Sequence, residues 1–163
     1  MTFTPRTWIV GEVVSAATMN QEIRDQFNSM FAAWTAYTPT WTASTTNPSL
    51  GNAVLTGRYM KYGRTVLVSI KLTMGSTTTY GTGLWRFALP TPAASAQDTV
   101  GTIFIGDASA GYSTGVAYLA ASGTDIGGYV GATNAAAGLA NGNPQTFAAG
   151  DRVWITVCYE AAS

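Results

Sequence analysis

The chain has 163 residues, enough for one domain with a real core and a short appendage but cramped for two full domains. Only 10% of them are charged, against roughly 25% in an average soluble protein; Thr, Ser, Ala and 18 Gly fill the gap, a composition commoner on secreted or particle-borne β-proteins than on cytosolic enzymes. The formal net charge is zero and histidine is absent, which removes the commonest general base, the triads that depend on it, and imidazole metal sites.

"TWIVGEVVSAAT" opens the chain as an extended or irregular lead broken at Gly11. Thr18 then offers a side-chain oxygen as a helix cap, with Gln21 three residues on and Glu22 beside it, so the spacing predicts a helix to about Trp34. "TAYTPTW" ends it through Pro39 and its threonines. Written as heptads, Ala16, Ile23 and Met30 take d positions and Asn20, Phe27 and Trp34 take a positions, a pattern that suits a self-associating coiled coil. The same apolar side would serve as a lid laid over a sheet. Spacing alone leaves both readings open, because so short a coil is marginal unaided.

From Tyr37 the hydrophobic period changes to two. In "TVLVSIKLTM" Val66, Val68, Ile70, Leu72 and Met74 share one face, and "AVLTGRYMKYGRTVL" supplies a partner strand with a turn at Gly63. Further strands are predicted at "GLWRFALP", "DTVGTIFIGD", "TGVAYLAAS", "GGYVGAT" and "RVWITVCYE". Many short antiparallel strands predict a mainly β fold, a β-sandwich or jelly-roll-like domain over residues 37–163, behind a lead and short α-helix over residues 1–36. "GATNAAAGLANGNPQ" reads as a long surface loop, and the single Cys158 as a small strand residue.

Candidate chemistry is sparse. Asp107, Asp125 and Asp151 are the carboxylates a glycosidase would have to bring together, but each sits where Asp is an ordinary turn residue. No calcium loop, P-loop or dinucleotide fingerprint occurs, so no cofactor and no metal is expected. "RYMKYGR" interleaves Arg58, Lys61 and Arg64 with tyrosines, yet three cations in a neutral chain fit a solvated sheet edge better than a nucleic-acid site. No run of about 18 apolar residues spans a membrane and no secretory signal opens the chain, so membrane insertion is not expected. Trp41, Tyr80, Trp85 and Tyr112 are candidates for stacking on sugar rings, with core packing and subunit contact as the plain alternative. Residues 1–86 carry seven basic and three acidic groups (+4), and the remainder one basic and five acidic (−4), an asymmetry that two halves of a domain or two neighbouring copies would use.

Two blocks carry a family resemblance. "TWIVGEVVSAATMNQEIRDQFNSMF" resembles the N-terminal segment of phage fibre and minor tail proteins. "YTPTWTASTTNPSLGNAVLTGRYMKYGRTVLVSIKLTMGSTTTYGTGLWRFALPTPAA", with the closing "FAAGDRVWITVCYEAA", resembles a β-domain of virion proteins from phages and prophages of actinobacteria. The resemblance implies a virion structural protein without catalytic function: Trp8, Ile9 and Val10 in a lead that docks to other virion proteins, a helix packed against two copies of itself in a homotrimer, and a β-domain displayed outward on tail, baseplate or capsid. A short fibre or spike touching host-surface carbohydrate, of neutral type, is the first expectation. A decoration or adaptor protein with no receptor, or the fibre of a contractile injection particle, is the alternative.

Overall fold

The computed structural model describes residues 7–131 and 137–162. After a turn at 9–12 the chain enters a helical stretch: α1 (Ala16–Met19), a π turn (Asn20–Arg24) and α2 (Asp25–Met30). Ser15, not Thr18, is the cap; its Oγ accepts the Thr18 N–H at 3.1 Å. The π turn is shown by the Asp25 N–H, which reaches the Asn20 carbonyl, five residues back. Phe31, at φ −108° and ψ 7°, has left helical geometry, so the helix ends at Met30 and Trp34 lies beyond it.

The rest is mainly antiparallel β. The strands are β1 (Thr35–Tyr37), β2 (Trp41–Ala43), β3 (Val54–Tyr62), β4 (Thr65–Thr73), β5 (Trp85–Ala88), β6 (Thr99–Asp107), β7 (Gly111–Leu119), β8 (Asp125–Val130), β9 (Ala137–Gly138) and β10 (Arg152–Glu160). They join in one sheet ordered β1-β3-β4-β10-β6-β7-β8-β5-β2, with β9 added beside β8. β1 begins at Thr35, whose partner is Tyr59, so the sheet starts two residues before the expected boundary at 37.

That order forces a curl. Laid flat, nine neighbouring strands would hold their two ends about 38 Å apart, at roughly 4.8 Å per step. Yet β1 and β2, the two ends, are joined by residues 38–40, which span at most about 14 Å. The sheet therefore rolls until its edges nearly meet, and Tyr37 on β1 donates its hydroxyl across the gap to the Ala88 carbonyl at 3.4 Å. Instead of the two separate sheets expected of a sandwich or jelly roll, one path of paired strands folds over a single core.

The roll turns at β8, which is shared along its length. Residues 127–130 pair with β7, Ile126 and Asp125 pair with β5, and the β9 segment pairs beside Tyr129 and Val130. Gly128 permits the close approach: a Cβ there would run into the Ile103 side chain and lie 2.7 Å from the Val116 carbonyl oxygen. Leu139, expected within a surface loop, is fully buried and splices the junction, taking the Trp85 N–H on its carbonyl and donating to Gly128, both at 2.8 Å. The part of that predicted loop at 132–136 lies outside the described residues.

The enclosed core follows the alternation. Val66, Val68, Ile70 and Leu72 of β4, Ile103 and Ile105 of β6, and Val153, Ile155 and Val157 of β10 point inward, each at most 2% exposed. Trp85 and Phe87 close the core from β5, with Trp41 edge-on to Trp85 at 4.9 Å. The Trp85 indole N–H is satisfied by the Tyr80 carbonyl at 2.9 Å.

Candidate functional site

Two surfaces stand apart from the core. The first is the helix. Among the described residues no strand packs substantially against it, so the sheet does not cover it within one chain. Ile23 is 40% exposed, Phe27 58% and Met30 54%, and Asn20 is exposed beside them. Met19 and Phe31, outside the predicted heptad, are open as well. The π turn adds a residue to one turn, so a strict heptad loses phase across it, and Met19, one turn before Ile23, joins Ile23, Phe27 and Met30 among the exposed apolar side chains. Trp34 belongs elsewhere, with the Arg58 guanidinium 5.2 Å over its ring. Ahead of the helix, Trp8, Ile9 and Val10 are exposed, Ile9 and Val10 at a turn closed by the Glu12 N–H on the Ile9 carbonyl at 3.1 Å.

The second surface is the outer face of β3, β4, β10, β6 and β7. Alternation places Lys71, Trp154, Phe104 and Thr114 in one cross-strand row. The Phe104 ring lies between Trp154 at 5.5 Å and Tyr112 at 5.2 Å. Gly106 makes the room, since a Cβ there would sit 3.3 Å from the Trp154 ring and 3.6 Å from Tyr112. Lys71 places its ammonium 5.9 Å over Trp154. Beside this row an open groove of about 430 Å³ is lined by Ala36, Thr56, Arg58, Ser69, Lys71 and Trp154. Val100, Val116 and Tyr129 extend the same outer surface as exposed apolar groups.

The four aromatic candidates therefore divide. Trp85 is fully buried and Trp41 is 6% exposed, so neither presents a ring to a sugar. Tyr80 is half-buried against Trp85 and Phe147, and burial, then the charge of Asp151, raises its phenol pKa. Tyr112 alone is open, at 78%. Phe104 and Trp154 were missed, although the sequence held the signal: each is an aromatic in the slot that alternation assigns to solvent, between inward pairs Ile103/Ile105 and Val153/Ile155. Cys158 shares that outward register and is exposed. The sheet-edge reading of "RYMKYGR" is corrected at Arg58, which sits opposite Ala36 of β1 and not on a free edge.

The carboxylates serve the fold. Asp151, 2% exposed, accepts from the Ala108 and Ala148 N–H groups at 2.9 Å and from the Gln145 amide at 3.0 Å, tying the 145–151 loop to the β6–β7 turn. Asp107 caps its own turn through Ser109 and Ala110, bonds that hold its carboxyl below the usual range. Asp125 pairs with Arg86 at 3.4 Å. Among the described residues no three His, Cys, Asp or Glu side chains come together as a metal site, and no helix is long and apolar enough to cross a membrane.

No protein-family model matches the chain, and no solved structure matches it. Among curated proteins, a "Mu-like prophage FluMu defective tail fiber protein" of Haemophilus influenzae is 30% identical over an alignment 139 residues long that covers 82% of this chain and 21% of that protein. The chain thus spans about a fifth of the relative's length. The similarity is to a prophage tail fibre protein, without the tie to actinobacterial phages that the sequence blocks suggested.

Proposed function

We propose that this chain is a structural, non-catalytic module of a phage or prophage tail fibre, borne on the virion and assembled as a homotrimer through its helix. The exposed row of Ile23, Phe27 and Met30 on a helix that no strand covers carries the reading. A contiguous apolar stripe of this kind is rarely left open on a soluble protein. Two further copies of the same helix cover it with a matching surface, and rotation about a threefold axis closes the assembly. The curled β-domains stabilise a bundle that 15 helical residues alone would hold only marginally. The exposed turn at Trp8, Ile9 and Val10 faces other virion proteins, and the outer aromatic face, centred on Tyr112, Phe104 and Trp154, faces carbohydrate on the host surface.

Similarity to a prophage tail fibre protein supports the structural role. Weak contacts repeated on three rigidly held domains raise avidity by roughly 10² to 10⁴ over one site. The test compares labelled full chain with its Phe27→Asp variant on host cells. Strong retention of the full chain and weak retention of the dissociated variant is the expected result. Retention of neither, with firm binding to fibreless particles, points instead to an adaptor or decoration role without a receptor.

A further inference from the structure

The groove between β3 and β4 holds two cations in an arrangement that asks for an anion. Arg58 is opposite Ser69, and Lys71, two residues further along the same face, is opposite Thr56. Diagonal neighbours on antiparallel strands lie only about 7–8 Å apart, and like charges at such range repel. Neither side chain has a carboxylate partner among the described residues; each instead lies over an indole, Arg58 over Trp34 and Lys71 over Trp154. Between them the groove of about 430 Å³ presents the hydroxyls of Thr56 and Ser69 and one wall of Trp154, a size within the roughly 300–1,000 Å³ of small-molecule sites.

The chain's own acids do not fill it. In the strand domain Asp125 and Glu160 are paired with Arg86 and Arg64, Asp98 accepts from the Tyr118 hydroxyl, and Asp107 and Asp151 are bound up in turns. A second copy therefore has no unengaged carboxylate of its β-domain to offer. Two cations in a neutral chain are also too few to track a nucleic-acid backbone, which needs a row of phosphate contacts. Flat aromatic faces beside hydroxyls and fixed positive charge match the mixed surface of a sugar that carries an acid.

We propose that this groove binds an acidic saccharide: Arg58 and Lys71 flank its carboxylate or phosphate, Trp154 stacks on the ring that bears it, and Phe104 and Tyr112 carry the neighbouring sugar. The proposal rests on the reading of the outer face as the carbohydrate-contacting surface, and it replaces the expectation of a neutral glycan with an anionic one.

The experiment measures retention of the full chain on immobilised oligogalacturonate, a carboxylate probe, and on immobilised glycerol-phosphate oligomer, a phosphate probe, with maltoheptaose as the neutral control. Tighter binding to one anionic probe, by at least about tenfold over maltoheptaose and weakening with added salt, is expected, and the stronger probe identifies the source of the anion. Lys71→Gln and Arg58→Gln should each reduce that binding several-fold without changing the assembly mass. Equal binding to maltoheptaose, insensitivity to both substitutions, or displacement by duplex DNA would overturn the proposal. So would a fall in mass of the Lys71→Gln variant, which would make the groove a contact between copies. If neither anionic probe binds while the full chain still binds host cells, the acidic-saccharide site fails and the receptor reading stands. Loss of both defeats both.

Discussion

Replacing Phe27 with Asp separates assembly from folding. A Phe side chain can bury roughly 200 Å², and 58% of Phe27, about 120 Å², is open in the single chain. At about 25 cal/mol/Å², covering that area contributes ~3 kcal/mol per copy, more than a hundredfold in the association constant at each contact. A carboxylate in the same place loses this term and must also be desolvated in all three copies, a further cost of several kcal/mol. The single chain loses almost nothing, because no strand packs substantially on the helix. Light scattering after gel filtration should therefore show the assembly falling to the chain mass of 17.0 kDa. Circular dichroism should retain the β signal while the helical signal fades, since so short a helix frays once released. If the variant kept the mass of the assembly, or if the β signal collapsed with it, the helix would have another role.

Three other predictions probe the β-domain. Asp151→Ala strips the acceptor from two backbone N–H groups and the Gln145 amide and should cost ~3–5 kcal/mol, seen as a drop of about 2 M in the urea midpoint; a shift under about 0.5 M would mean the loop re-satisfies its donors. Trp85→Ala should cost ~3–5 kcal/mol by opening a core cavity and leave carbohydrate retention of the folded protein unchanged, and selective loss of retention in a protein of unchanged stability would contradict its burial. Burial, then the nearby Tyr159, raises the Tyr37 pKa, so the unfolded chain ionises first on going alkaline. The stability Tyr37 contributes is complete below about pH 10 and is lost as pH climbs towards its folded value; urea midpoints across that range should fall less steeply for Tyr37→Phe, and parallel slopes would refute the link.

The parts of the fold written in local periodicity were legible. β4 alternates without exception from Val66 to Leu72, Gly63 takes φ 57° in the tight turn before it, and β10 matches "RVWITVCYE" residue for residue. What was not legible depends on distant residues. The curl comes from a three-residue link between the two ends of the sheet order and from the sharing of β8, neither of which is visible in a window of ten residues. The helix was read four residues too long because Trp34 continues the heptad on paper, whereas Thr35 is already paired with Tyr59. At the candidate site, residue type alone did not say which of the aromatic candidates face outward: the bonds between the 44–49 and 79–84 segments fold that region over the core and bury Trp41 and Trp85. Trp154 and Phe104 take outward slots of β10 and β6, and their meeting with Tyr112 depends on strand pairing that no local window shows.

The central claim is that three copies of this chain share one bundle. Sedimentation equilibrium of the unaltered chain across micromolar concentrations measures that directly. The account predicts a single species of three times 17.0 kDa, about 51 kDa, with no concentration dependence in that range. A clean species of 17.0 kDa would contradict it, leaving the exposed Ile23, Phe27 and Met30 row to be covered by some other partner.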